Sequence, residues 1–148
     1  MIATISTFFD FTAEELWNKI IDPKSLQFVA APLLIFKPLV NSHLDAKWEL
    51  NKTYELKLYF CYFIPLGSHK IQLVKIDKTN NIIISNESGT LSPVWNHTIT
   101  FKNERNKLKY TDQIEIKAGR RSFFIWLFAH FFYRHRQRRW KKLMLKTI

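Results

Sequence analysis

Two ionisable residues stand on the otherwise apolar side of two strand-like segments near the end of the chain. His97 lies in WNHTIT (residues 95–100) and Asp112 lies in KYTDQI (residues 109–114). A carboxylate beside an imidazole favours the charged form of both groups, whereas burial opposes both charges. Such a pair could bind a polar group of a ligand, act as an acid–base pair, or only satisfy itself inside the fold.

The hydrophobic pattern predicts that these two residues face each other across a hairpin. If residues 103–106 form a four-residue loop, Lys102 pairs with Lys107 and His97 pairs with Asp112. Every apolar partner then falls on one face, which is the register that burial selects. Cβ atoms of directly opposed residues lie about 4.5–5.5 Å apart. No nucleophile accompanies the pair, so the structural, binding and catalytic interpretations stay open.

Other reactive sites are not expected. The five histidines, at positions 43, 69, 97, 130 and 135, include no HExxH pair, and neither G-x-S-x-G nor a glycine-rich phosphate loop occurs. We therefore predict no metal site and no cofactor. Cys61 is the single cysteine, which excludes an intramolecular disulfide and fits a reducing compartment.

The spacing of apolar and turn-forming residues predicts one sequence of elements. IATISTFF reads as a strand, and Thr12 and Glu15 match a capping box that starts a short helix through about Asp22. Pro23 suits the first turn of a second short helix. Period-2 patterns predict strands at 54–63, 69–77, 82–88, 94–102 and 107–117, with a turn at 65–67, and high helix-forming content predicts a long helix over 122–145.

This order predicts an α+β fold, with residues 1–148 forming a single domain. A curved antiparallel β-sheet with hairpin connections cannot bury both of its faces by itself. The long C-terminal α-helix is the only element able to cover the concave side, and the two short helices follow the first strand. We therefore expect a sheet wrapped around this helix.

The element order and four motifs resemble the START-like, helix-grip (SRPBCC) superfamily. The motifs are IPLG at 64–67, WNH at 95–97, YTD at 110–112 and FFYRHRQRRWKKL at 131–143. More narrowly, the chain is similar to small bacterial members of the polyketide cyclase/dehydrase-like group. The resemblance implies a helix-grip fold with an elongated pocket between sheet and helix that takes apolar small molecules. It supplies no catalytic residues.

One seam of the long helix is predicted to face the sheet. Trp126, Ala129, Tyr133, Gln137, Trp140 and Met144 fall within about 80° of one another. The middle of this seam is either plain core or pocket wall. The residues predicted to bind a ligand are Leu58, Phe60, Tyr62, Trp95, His97, Tyr110, Asp112 and Tyr133.

A second face of the helix changes from apolar to cationic along its length. Phe124, Phe128 and Phe131 are followed by His135, Arg138 and Lys142, and the whole net charge of +11 comes from residues 102–148. Either residues 24–47 cover the Phe residues and the cations are solvated, or this face contacts an anionic membrane or a protein partner. The candidate anion contacts are Arg134, Arg138 and Lys142. No nucleic-acid-binding motif accompanies the charge, so we expect no specific nucleic acid.

The function predicted from these observations is binding of an apolar or amphipathic small molecule, lipid- or polyketide-like, between sheet and helix. One alternative is a cyclase- or dehydratase-type enzyme that uses His97 and Asp112. Another is a peripheral membrane or partner-docking protein that uses the basic helix. The chain starts without the pattern of a secretory signal, and the apolar run 123–133 is half a membrane span, so we expect a cytoplasmic or membrane-peripheral protein. The sequence leaves the ligand and the oligomeric state open.

Overall fold

The computed structural model describes residues 1–39 and 43–146. A short 3₁₀ turn, Gly119–Arg121, precedes the last helix. The elements in chain order are β1 (Ile2–Phe9), α1 (Ala13–Ile20), α2 (Pro23–Ala30), β2 (Leu34–Pro38), β3 (Thr53–Phe60), β4 (Ile64–Asp77), β5 (Ile82–Gly89), β6 (Val94–Glu104), β7 (Lys107–Lys117) and α3 (Ser122–Leu145).

The strands form one antiparallel sheet in the order β1-β7-β6-β5-β4-β3-β2. Strands β2 to β7 follow the order of the chain, and β1 lies at the far edge, where the last strand, β7, returns to pair with it. The helix α3 covers the concave face of this sheet and packs against β1, β7 and α2. This arrangement confirms the predicted α+β helix-grip fold.

Local sequence signals explain where the short helices begin. The Glu15 backbone N–H donates to the Thr12 hydroxyl at 3.2 Å, and the Thr12 N–H donates to the Glu15 carboxylate at 2.7 Å. This confirms the capping box, which satisfies two N–H groups that an uncapped helix leaves free. Helix α2 begins with Pro23, and the Asp22 carboxylate accepts from the Lys24 N–H at 2.9 Å.

The predicted seam of α3 is largely confirmed. Ala129, Tyr133, Gln137, Trp140 and Met144 are all buried. Trp126 lies at the edge of the sheet instead, where its indole N–H donates to the Ile2 carbonyl at 2.9 Å. Phe132 and Arg136 are also buried, which widens the seam beyond the prediction.

The predicted loop between β6 and β7 is wrong by two residues in register. Glu104 pairs with Lys107, so the loop is only Arg105 and Asn106, which have φ of 54° and 63°. Two consecutive positive φ values are those of a type I′ turn, whose twist suits a hairpin. His97 therefore pairs with Ile114 rather than with Asp112. A shift of two residues preserves which side chains face inward, so His97 and Asp112 still share a face.

The predicted turn at residues 65–67 is also wrong. The chain reverses at Cys61 and Tyr62, with φ of 50° and 74°, and β4 begins at Ile64. Gly67, at φ 87°, accommodates an irregularity in the pairing of β3 with β4 instead of a turn. The sequence pattern also missed β2, a five-residue edge strand within residues 33–50. No helix in the described ranges is both long and apolar enough to cross a bilayer.

Candidate functional site

A cavity of about 80 Å³ lies between the concave face of the sheet and α3. This volume has room for several water molecules or a compact organic guest. It is smaller than the roughly 300–1,000 Å³ of pockets that hold drug-sized ligands. Its wall is mainly apolar and includes Leu34, Leu58, Ile71, Leu73, Ile83 and Phe132.

His97 and Asp112 meet although they are not directly opposite in the sheet. The distance from His97 Nε2 to Asp112 Oδ1 is 2.7 Å. Diagonal neighbours on one face are within reach of a side chain as long as histidine. Because an ionised carboxylate only accepts hydrogen bonds, this contact puts a proton on His97 Nε2, and Nδ1 lies on the side of the cavity, 3.8 Å from Glu87 Oε2.

Asp112 lies behind the cavity wall rather than in it. The residue is fully buried, and its Oδ1 also accepts from the Tyr110 hydroxyl at 3.0 Å. The Gln137 amide donates to Oδ2 at 3.0 Å and at the same time to the Ile5 carbonyl at 2.9 Å. Three donors thus converge on Asp112, and of these three His97 is the one that lines the cavity.

Glu87, a carboxylate in the cavity wall, was not predicted from the sequence. Its side chain is only 9% exposed, and the distance from its Oε1 to His69 Nε2 is 2.8 Å. The Ser85 hydroxyl donates to Oε2 at 2.5 Å, and His97 Nδ1 lies 3.8 Å from the same oxygen. The signal was the period-2 pattern of β5, which puts Glu87 on the face of the buried Ile83 and Ser85.

Both carboxylates have lowered pKa values. Burial by itself raises the pKa of Asp112, but the hydrogen bond and charge of His97, the charge of Arg136 and the Gln137 hydrogen bond more than offset it. Burial likewise raises the pKa of Glu87, and hydrogen bonding and charge from His69, together with the charge of His97, bring it below its ordinary value. Both groups are therefore ionised at neutral pH.

Arg136 is a cation in the cavity wall, and it was not predicted from the sequence either. It is 5% exposed, and its Nε is buried with no hydrogen-bond partner among the described residues. Its guanidinium carbon lies 5.0 Å from the centre of the Tyr133 ring. Burial acts to lower the pKa of Arg136, but neighbouring groups, Asp112 foremost, hold it above the ordinary value. Its neighbours in the sequence include five other cations, so it resembled an exposed residue. Its spacing of four residues from both Phe132 and Trp140 places it on the buried side of α3.

Tyr133 supplies a hydroxyl to the same wall. The Trp95 indole N–H donates to the Tyr133 oxygen at 2.9 Å, and the Tyr133 ring centre lies 4.9 Å from that of His97. Burial raises the pKa of Tyr133 well above its ordinary value. The hydroxyl therefore stays protonated and keeps a hydrogen to donate.

The residues expected to bind a ligand fall into three groups. Leu58, Trp95, His97 and Tyr133 line the cavity. Tyr110 and Asp112 lie behind it. Phe60 is half-buried, with its ring centre 6.5 Å from that of Phe128, and Tyr62 is 57% exposed in the β3–β4 turn, so neither lines the cavity. Phe60 is the last residue of β3, and Tyr62 was predicted to continue its alternation although it lies in the turn that follows.

The three candidate anion contacts, Arg134, Arg138 and Lys142, are all exposed on α3. Within the described ranges, no three His, Cys, Asp or Glu side chains are arranged to hold a metal ion. Cys61 lies in the β3–β4 turn, away from the cavity wall.

No family model and no curated protein sequence matches this chain. Several solved structures share its fold. A protein from Chromobacterium violaceum is 11% identical, with a TM-score of 0.76 over 97% of this chain and 96% of that one. The protein Ara h 8.0201 is 7% identical, with a TM-score of 0.66 over 99% and 98%. DynU16, from the dynemicin biosynthetic locus, is 13% identical, with a TM-score of 0.61 over 93% of this chain and 46% of that one. Identities this low show the fold alone.

Proposed function

We propose that this chain binds a compact amphipathic molecule in the cavity between the sheet and α3. The observation that carries the proposal is that Arg136 lines the cavity while its buried Nε has no hydrogen-bond partner within residues 1–39 and 43–146. A buried donor that stays unpaired costs about 1–3 kcal/mol, and more when the group is charged. A guest that accepts a hydrogen bond from Arg136 removes this cost and gains the contact.

The hydrogens that the cavity wall can still donate favour a ligand with an oxygen acceptor. Asp112 already has three donors, and Glu87 has Ser85 and His69. Arg136 and the hydroxyl of Tyr133, by contrast, have hydrogens to donate. A ketone, hydroxyl or carboxylate oxygen therefore suits the cavity better than an amine.

The rest of the wall supplies an apolar driving force. Leu58, Leu73 and Ile83 face the guest, and each square ångström of apolar surface they cover contributes about 25 cal/mol before the entropic costs of association. At about 80 Å³ the cavity accepts a single ring or a short chain as it stands. A ligand of lipid or polyketide size requires the wall to move apart.

Three probes of similar shape test the proposal by ligand-observed NMR titration: ethylbenzene, acetophenone and benzoate. Acetophenone adds one acceptor oxygen to ethylbenzene, and benzoate replaces it with a carboxylate. One net hydrogen bond is worth about 1–1.5 kcal/mol, so acetophenone is expected to bind about tenfold more tightly than ethylbenzene. The affinity of benzoate relative to acetophenone shows whether a charged oxygen binds more tightly than a neutral one.

Arg136→Lys is the matched test of the anchor, because it keeps the charge and removes the Nε donor. We expect it to abolish most of the preference for acetophenone over ethylbenzene. Arg138→Lys is the control, since Arg138 is exposed two residues away on the same helix. The proposal fails if no probe binds, if acetophenone and ethylbenzene bind alike, or if both Lys variants change the preference equally.

A further inference from the structure

The first half of α3 exposes four large apolar side chains. Phe123, Phe124, Leu127 and Phe131 are 51%, 71%, 46% and 60% exposed. One sequence-based expectation is that residues 24–47 cover Phe124, Phe128 and Phe131; Phe128 is partly buried, but the described parts of that segment leave Phe124 and Phe131 exposed. A cluster of this kind on a protein surface marks a place where another apolar phase binds.

The β3–β4 turn adds three more exposed side chains. Tyr62, Phe63 and Ile64 are 57%, 79% and 50% exposed. The turn lies beside α3, because the Phe60 ring directly before it contacts the Phe128 ring. We call the four residues of α3 and these three residues the apolar patch.

Cations flank the apolar patch at both ends along α3. Arg120 and Arg121 are exposed in the 3₁₀ turn before the helix, and Arg134, Arg138 and Lys142 are exposed after Phe131. None of these five forms an ion pair with a residue in the described ranges. The sequence after Lys117 contains no Asp or Glu, so no carboxylate of this segment neutralises them.

The apolar and cationic groups share one face of the helix. Phe124, Leu127 and Phe131 lie within roughly 80° of Arg134, Arg138 and Lys142 around the axis. Each of the two groups spans about 12 Å or less along the helix. Apolar projections beside unpaired cations are complementary to lipid headgroups over an apolar interior.

We propose that the apolar patch and its flanking cations dock this protein on an anionic lipid bilayer. The Phe and Leu side chains of α3 enter the boundary between headgroups and acyl chains, and Arg134 and Arg138 lie at the level of the lipid phosphates. Each cation near such a surface contributes on the order of 1 kcal/mol. This inference does not depend on whether the cavity binds a ligand.

Co-sedimentation with vesicles tests the docking surface. The full chain is mixed with phosphatidylcholine vesicles that either contain or lack phosphatidylglycerol. We expect partitioning onto the anionic vesicles at least tenfold above that onto the neutral ones, and a decrease as salt is added. Phe124→Ser with Phe131→Ser, and separately Arg134→Glu with Arg138→Glu, should each lower the partition coefficient at least tenfold.

Two control variants match these changes elsewhere on the surface. Leu50→Ser removes an apolar side chain that is 51% exposed, and Lys57→Glu with Lys102→Glu reverses two exposed Lys residues of the sheet. Both controls should retain anionic-vesicle binding within about threefold, because attachment falls steeply with distance from the surface.

Three results would overturn the proposal. The first is no binding to anionic vesicles at low salt. The second is an equal loss in the charge control and the α3 charge variant, which would show a general effect of net charge. The third is a dimer in sedimentation velocity that Phe124→Ser with Phe131→Ser dissociates, which would make a second copy the occupant of the patch.

Discussion

At the scale of single residues, Asp112 determines the orientation of the His97 ring. Three donors hold the carboxylate in place, and its contact with His97 Nε2 at 2.7 Å fixes which ring nitrogen is left for the cavity. The role of Asp112 is therefore to position His97. Arg136 and His97, by contrast, line the cavity, so a guest can touch them directly.

Asp112→Asn should lower the free energy of unfolding by about 2–4 kcal/mol. The amide loses the negative charge opposite Arg136, and its NH₂ group meets donors from Tyr110, His97 or Gln137 instead of accepting from them. Urea unfolding at neutral pH measures the change. Asp10→Asn is the control, because the Asp10 side chain is 87% exposed and its ion pair, with Lys107, is at the surface. A change of less than about 1 kcal/mol in Asp112→Asn would contradict this account of the cluster.

The same variant should flatten the loss of stability in acid. The pKa values of Asp112 and Glu87 are lowered in the folded chain, and their unfolded values are about 3.9 and 4.3. Their contribution is thus complete above about pH 5 and is lost as the pH falls through the folded values. Between about pH 5 and pH 3 the wild type should lose stability more steeply than Asp112→Asn.

The contact between His97 and Asp112 could be predicted because it requires only that both side chains point to the same face of the sheet. The register was wrong by two residues, yet the period-2 alternation still put both side chains on the inner face. Arg136 and Glu87 were not predicted for a different reason. A charged residue is usually exposed, and only the fold shows that both lie in the wall of one cavity, where Asp112 is the main partner of Arg136 and His69 that of Glu87.

At the scale of elements, the sequence predicted periodic segments well and reversals badly. Strand β1, strand β7 and helix α3 have the predicted bounds, because each carries a long, uniform pattern. The reversals depend on positive φ at Arg105, Cys61 and Tyr62, which are not residue types that announce a turn. The motif with Pro and Gly at 65–67, which does look like a turn, lies inside β4.

Gly67 is where β4 needs a residue without a side chain. It has φ 87°, and a Cβ there would clash with the Thr90 side chain. Gly67→Ala should destabilise the fold by about 2–4 kcal/mol, through left-handed strain of about 1–2 kcal/mol and a steric clash. Gly119→Ala is the matched control, since Gly119 has φ 59° and no atom within 4 Å of the added Cβ. Equal losses in thermal unfolding would show that the clash with Thr90 contributes nothing.

At the scale of the whole molecule, charge and shape are divided between the two layers. Residues 1–101 carry nine Lys and nine acidic residues, so most of the sheet and both short helices are neutral overall. The excess positive charge lies in the β6–β7 loop, β7, the 3₁₀ turn and above all α3. Helix α3 also forms one side of the cavity and carries most of the exposed apolar patch. The fold therefore keeps α3 in place against the mutual repulsion of its own cations, by packing and by hydrogen bonds such as Arg139 to the Phe28 carbonyl at 3.0 Å.

This repulsion predicts that salt stabilises the protein. Raising NaCl from about 10 mM to about 0.15 M shortens the Debye length from about 30 Å to about 8 Å, so the free energy of unfolding should rise by about 0.5–1 kcal/mol.

Arg138→Glu places a carboxylate one turn from Arg134 and Lys142, so it should raise the free energy of unfolding by a similar amount at low salt, and added salt should reduce this gain. Lys47→Glu, in the neutral part of the chain, should give none. A fall in wild-type stability with salt would mean that exposed pairs such as Lys52–Glu49 outweigh the repulsion. Since salt should weaken attachment to anionic vesicles while it strengthens the fold, lost binding at high salt cannot be attributed to unfolding.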